Sequence, residues 1–158
     1  MADQAPHDAG ILETSKRPLQ IVDNVPCGEI RPSQVHGMGL FASRDIAIHE
    51  HLGTLDGRVI SGEELAEIER NLSNHATHKR AVIVLEWNAL PENRYLVRRK
   101  RTKYSYINHS RTPNVRLESF PPQIVALRDI PAGEELLLDY REEPLSEDYL
   151  RGHGSTYL

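Results

Sequence analysis

The chain has 158 residues, 39% of them hydrophobic, and a formal net charge of −4. That length and composition predict one compact domain with its own core and exclude collagen-like, low-complexity and wholly disordered chains. The acid excess argues against a surface built as a whole to hold nucleic acid. The single cysteine, Cys27, excludes an internal disulfide and any multi-cysteine metal cluster. The eight histidines are scattered without zinc-motif spacing, so no metal site is expected. No apolar run is long enough to span a bilayer, and residues 1–10 lack a signal-peptide core. The expectation is an intracellular soluble protein, cytoplasmic or nuclear, with no membrane partner.

Residues 1–24 carry two prolines and little periodicity, which predicts a flexible leader. Strands are expected over 29–32 and 40–42, joined through the turn at His36-Gly37-Met38-Gly39, and another within 46–55. Gly57 marks a turn before Val59-Ile60. The one clear helix is predicted over 62–71. Ser61 caps it, Glu63 and Glu64 sit in its first turn, and Leu65, Ile68 and Leu72 recur at helical spacing. A hairpin follows, with strands over 81–87 and 95–97 and a turn over 88–93. Residues 105–108 read equally as a strand end or a helical turn. Residues 114–118 and 124–127 form a second hairpin around Pro121-Pro122, and 135–138 a last strand after the turn at 131–134. The sum is a mainly β chain with a minor helical insert.

Three segments carry candidate chemistry. Gly37 and Gly39 lack Cβ atoms, so the backbone there serves either an ordinary hairpin turn or close approach to a ligand. Asn108 offers donors and an acceptor and His109 either role, in a ligand contact or in a self-bonded turn. Tyr140 ends an apolar stretch with a hydroxyl, as a core tyrosine also does.

Taken in order, His36-Gly37-Met38-Gly39-Leu40-Phe41-Ala42, then Tyr106-Ile107-Asn108-His109-Ser110 with Pro113-Asn114, then Gly133-Glu134-Glu135-Leu136-Leu137-Leu138-Asp139-Tyr140, resemble the signature of SET domain protein-lysine methyltransferases. The resemblance runs from about Glu29 to Tyr140. It implies a SET β-fold of short antiparallel sheets with a pseudo-knot, a domain over 25–144, a variable insert over 61–97 and a C-terminal flank over 145–158. It also implies S-adenosylmethionine as cofactor. Gly37, Met38, Gly39, Asn108, His109 and Tyr140 would bind it, with Tyr140 also catalytic. Tyr104, Tyr106 and Leu138 would line the channel for the substrate lysine, and the partner would be a protein presenting that lysine. Either the flank over 145–158 or a dimer would complete the channel.

Departures from the pattern are specific. Arg111 stands where many relatives have cysteine, and no cysteine cluster follows Tyr140, so the zinc-binding flank is missing from the pattern. Leu138 replaces a common aromatic at a position that helps set how many methyl groups are transferred. The run Arg98-Arg99-Lys100-Arg101, with Lys103, reads as a solvated face, as a docking site for an acidic partner, or as a contact for nucleic acid phosphate. Two alternatives to the enzyme stand beside it. One is a catalytically silent SET-like protein-binding module. The other is a nucleic-acid-binding protein using residues 98–103.

Overall fold

The structure, a computed structural model, describes residues 20–76, 84–156 and 158. Most of the expected leader and the first three residues of the strand expected over 81–87 lie outside them. The described chain is mostly β, in short sheets with few helices. Strands β1 (Ile21–Val22), β2 (Gly28–Pro32), β3 (Met38–Ala42), β4 (His51–Thr54) and β5 (Arg58–Ser61) precede helix α1 (Gly62–Ala76). After it come β6 (Glu86–Leu90), β7 (Arg94–Arg98), β8 (Arg101–Thr102), β9 (Asn108–His109), β10 (Val115–Glu118), β11 (Gln123–Ala126), β12 (Leu137–Leu138) and the short helix α2 (Glu147–Arg151).

The end of the expected leader makes contacts with the rest of the chain. β1 pairs in parallel with β8, and the Asn24 side-chain oxygen accepts from the Tyr104 amide at 3.1 Å. Helix α1 starts as expected, with the Ser61 hydroxyl accepting from the Glu64 amide at 3.2 Å. It runs one turn past the predicted end because no glycine or proline stops it. Leu65 packs with Ile60 and Val97 in a small second core. The β6–β7 hairpin turns later than expected, at residues 91–93, where Glu92 and Asn93 take positive φ. Asn88 and Ala89, expected in the turn, are buried strand residues paired with Leu96 and Tyr95. Residues 103–106 resolve the open choice as a 3₁₀ turn leading into β9.

The main core gathers Val25, Leu40, Leu55, Ile107, Ile124 and Leu136 from strands and loops spread over the chain. Each fully buried aliphatic side chain of this size contributes about 1.5–3 kcal/mol. The five-stranded sheet has the order β4-β11-β10-β12-β9. β12 lies parallel to both β9 and β10, so the connection 110–114 spans a strand that comes later in the chain. β12 is thus inserted between two strands that precede it in the chain. It brings residues near 36, 108 and 140 together.

Candidate active site

The glycine turn and β9 meet through one amide. Gly37 adopts φ +48°, in the left-handed region that glycine enters without strain. The turn closes with the Ser33 amide donating to the Gly37 carbonyl at 2.9 Å. Asn108 Nδ2 donates to the carbonyls of His36 at 3.1 Å and Met38 at 3.3 Å, and to Glu135 Oε1 at 2.8 Å. Ser33 Oγ donates to the same Glu135 oxygen at 2.7 Å. Glu135 in turn fills the space that a side chain at Gly39 would need.

Asn114 is buried, and its amide is spent inside the fold. It donates to Glu134 Oε1 at 2.9 Å and to the Glu135 carbonyl at 2.7 Å, and it accepts from the Leu137 amide at 2.7 Å. The asparagine of the Pro-Asn pair therefore holds the stretch that delivers β12.

His109 and Tyr140 sit next to one another, with ring centroids 5.3 Å apart. The Tyr140 amide donates to His109 Nδ1 at 3.1 Å, so the neutral ring carries its proton on Nε2. That Nε2 is buried without a hydrogen-bond partner among the described residues. The Tyr140 hydroxyl donates to the Ile107 carbonyl. Next to it, hydrogen bonds from Arg141 hold the Asp139 carboxyl down at about 2, despite the opposing cost of burial.

On its other side Tyr140 lines a cavity of about 290 Å³, together with Trp87, Asn88, Tyr104, Ile107 and Glu143. Of the channel residues expected from the sequence, Tyr104 reaches this cavity. Tyr106 and Leu138 do not. Tyr106 packs half-buried against the main core, and Leu138 lies inside it. Leu145 and Tyr149 close the wall, so the chain's own C-terminal segment does so. Trp87 stacks edge-on against both Tyr95 and Tyr149 at 5.4 Å.

The cavity's polar groups form a chain that sequence reading missed. Glu86 accepts from the Thr102 amide at 2.6 Å and hydroxyl at 2.8 Å and lies 3.5 Å from Arg98 Nη1. Arg98 Nη2 donates to Asn88 Oδ1 at 2.6 Å. Asn88 Nδ2 donates onward to Glu143 Oε1 at 2.9 Å. Glu143 also accepts from the Ala89 amide at 2.9 Å and the Tyr104 hydroxyl at 3.3 Å. Burial pushes the Glu143 carboxyl above the ordinary carboxylate range, against those hydrogen bonds and the Arg98 charge. Burial, then the Glu143 charge, raises the Tyr104 hydroxyl well above 10.

The basic run is correspondingly not one face. Arg98 is buried, Lys100 pairs with Asp56 at 2.5 Å, and Lys103 pairs with Asp23 at 3.0 Å. Arg99 stays exposed, so the run is divided between the core and the surface rather than presented whole. Among the described residues no group of three or more His, Cys, Asp or Glu side chains is placed to hold a metal ion. No helix among them is long and apolar enough to cross a membrane.

The family model described as SET domain matches residues 37–141, from the glycine turn to the residue after Tyr140. The chain belongs to the SET domain family. It is 29% identical over 150 residues to the histone-lysine N-methyltransferase MEDEA of Arabidopsis thaliana, a match covering 90% of this chain and 19% of that protein. It is 30% identical over 121 residues to a variant-silencing SET domain-containing protein of Plasmodium falciparum (isolate 3D7), covering 71% of this chain and 5% of that one. The chain thus spans less than a fifth of the length of either relative. Among solved structures it resembles a humanized mutant of the Chaetomium thermophilum Polycomb Repressive Complex 2 bound to an inhibitor, at TM-score 0.56 and 26% identity, over 73% of this chain and 15% of that one. The apo complex in an autoinhibited state aligns at TM-score 0.55 and 26% identity, over 80% of this chain and 17% of that one. In both, the likeness is to SET-type architecture.

Proposed function

We propose that this chain is an S-adenosylmethionine-dependent N-methyltransferase acting on a lysine side chain of a protein substrate. One observation carries the reading: Tyr140 borders two environments at once. Its backbone amide joins His109 beside the Asn108–glycine turn, and its ring lines the cavity under Trp87 and Tyr104.

The residues present fit the cofactor. Beside Gly37 there is open space where other residues carry a side chain. His109 Nε2 is a buried donor without an acceptor among the described residues. Gly37, Met38, Gly39, Asn108 and His109 would hold the cofactor there, with Tyr140 at its edge. S-adenosylmethionine, when bound, supplies an electrophilic methyl group on a sulfonium sulfur.

The cavity's own residues would prepare the nucleophile. A free lysine ammonium has a pKa of about 10.4 and no lone pair to attack with. Burial among Trp87, Tyr104, Ile107 and Tyr140 disfavours the charged form and promotes the amine. The Tyr140 hydroxyl and the Ile107 carbonyl, already in contact, would orient that amine, and holding two reactants in line supplies much of the rate.

The test is direct. Purified protein incubated with labelled S-adenosylmethionine and mixed cell proteins should label one or a few bands, and the Y140F variant should label them far more slowly. Cofactor binding with no label on any fraction would make the chain a silent protein-binding module. No cofactor binding by a folded sample would end the reading altogether.

A further inference from the structure

The Tyr140 cavity holds one more carboxylate than its own cation balances. Two acids, Glu86 and Glu143, and one base, Arg98, line it. Glu86 is committed to Arg98 and to both polar groups of Thr102. Arg98 Nε donates to the Asp56 carbonyl at 2.8 Å and its Nη2 to Asn88 at 2.6 Å, while its Nη1 lies 3.5 Å from Glu86 without a hydrogen bond among the described residues. Its hydrogen bonds reach Glu143 only through the Asn88 amide, so its charge acts on Glu143 from a distance. Every donor to Glu143 is neutral: Asn88 Nδ2, the Ala89 amide and the Tyr104 hydroxyl. Among the described residues no lysine or arginine forms an ion pair with it.

Glu143 is half-buried, and a carboxylate so placed without an ion-pair partner among the described residues is costly, since desolvation disfavours its charge and hydrogen bonds offset only part of that. The rest of the cavity wall is aromatic and aliphatic: Trp87, Tyr104, Ile107, Tyr140 and Leu145. A ligand that suits both features has a slim apolar stem and a compact cationic head with several donors. An alkylammonium has that form, with three N–H groups on one nitrogen.

We propose that Glu143 is the residue that selects a lysine side chain for this cavity, by supplying the anion that receives the incoming ammonium. The proposal rests on reading the cavity as the lysine channel, and it adds a charged determinant to an otherwise aromatic wall. Glutamine at the same position keeps the shape and an acceptor for the Ala89 amide but removes the charge. Glu143 would thus act on which side chain enters; its pull on the ammonium works against desolvation by the aromatic wall, which favours the amine needed for the transfer that Tyr140 serves.

The test needs no cofactor and no turnover. Trp87 is the chain's one tryptophan and lines the cavity, so its fluorescence reports occupancy. The probes are n-butylammonium chloride, which copies the lysine side chain, and n-butanol, its neutral counterpart, at fixed ionic strength near pH 7.5. Wild type should bind the cation at least about tenfold more tightly than the alcohol. E143Q should lose that preference while retaining the weak response to the alcohol. Preference for the cation that survives in E143Q would assign Glu143 to clamping the C-terminal segment onto β6 and overturn the proposal. Equal binding of the two probes by wild type would overturn it too, whether or not E143Q folds. A cation preference in a protein that labels no substrate would sink the methyltransferase reading and leave this recognition standing.

Discussion

Asn108 Nδ2 donates to Glu135 Oε1 at 2.8 Å, and that same oxygen stands where a Cβ at position 39 would have to go. The glycine turn and the asparagine are therefore coupled through one carboxylate contributed by a third segment.

The coupling makes G39A informative. A methyl group there displaces Glu135 from Asn108 and Ser33, leaving part-buried polar groups unpaired at about 1–3 kcal/mol. In an E135A background the space is free, so the same substitution should cost markedly less. Denaturant unfolding of the four proteins of that double-mutant cycle measures the difference. Equal cost in both backgrounds would show that Gly39 answers to something other than Glu135.

Replacing Asn108 with alanine removes the donor that ties His36, Met38 and Glu135 together. Calorimetric titration with S-adenosylmethionine should show roughly 5- to 150-fold weaker binding, the equivalent of about 1–3 kcal/mol. Unchanged affinity would take Asn108 out of the cofactor site.

For Tyr140 the expected loss lies in turnover. The phenylalanine variant keeps the ring against His109 and the cavity and loses only the hydroxyl that meets the Ile107 carbonyl. Methyl transfer should fall about 10²- to 10³-fold in kcat with cofactor affinity nearly unchanged. A wild-type rate from Y140F would reduce the residue to a core aromatic.

Two carboxylates give opposite pH signatures. Asp139 is held near 2 in the folded chain by Arg141, against an ordinary value of 3.8. A depressed folded value means stability that is complete above the unfolded pKa and drains away as pH falls from 3.8 towards 2. The melting temperature of wild type should therefore exceed that of D139N at pH 6, with the gap closing over that acid window. A gap independent of pH would assign the difference to packing.

Glu143 runs the other way. Its folded pKa is raised by burial, so the unfolded chain ionises first, and wild type loses stability relative to E143Q as pH climbs above the ordinary value of 4.5. Melting curves of the two proteins from pH 4 to pH 8 should diverge in favour of E143Q. Parallel curves would mean that the carboxylate is no more costly folded than unfolded.

The sequence by itself determined the parts whose signal is local. The Ser61 cap with the spacing of Leu65, Ile68 and Leu72 marked α1. The paired hydrophobic runs around Pro121-Pro122 marked the β10–β11 hairpin. The three family segments identified the SET architecture. Tertiary structure alone decided the rest, because its causes lie far apart in the chain. Asn108 meets the glycine turn from 72 positions away, and Glu143 meets Asn88 from 55. No local pattern announces a carboxylate whose partners are all on other elements. Likewise nothing in Arg98-Arg99-Lys100-Arg101 says that its first member turns inward to Glu86. Strand pairing decides that, by setting which face each side chain occupies, and so Arg98 goes to the core while Lys100 and Lys103 pair with Asp56 and Asp23.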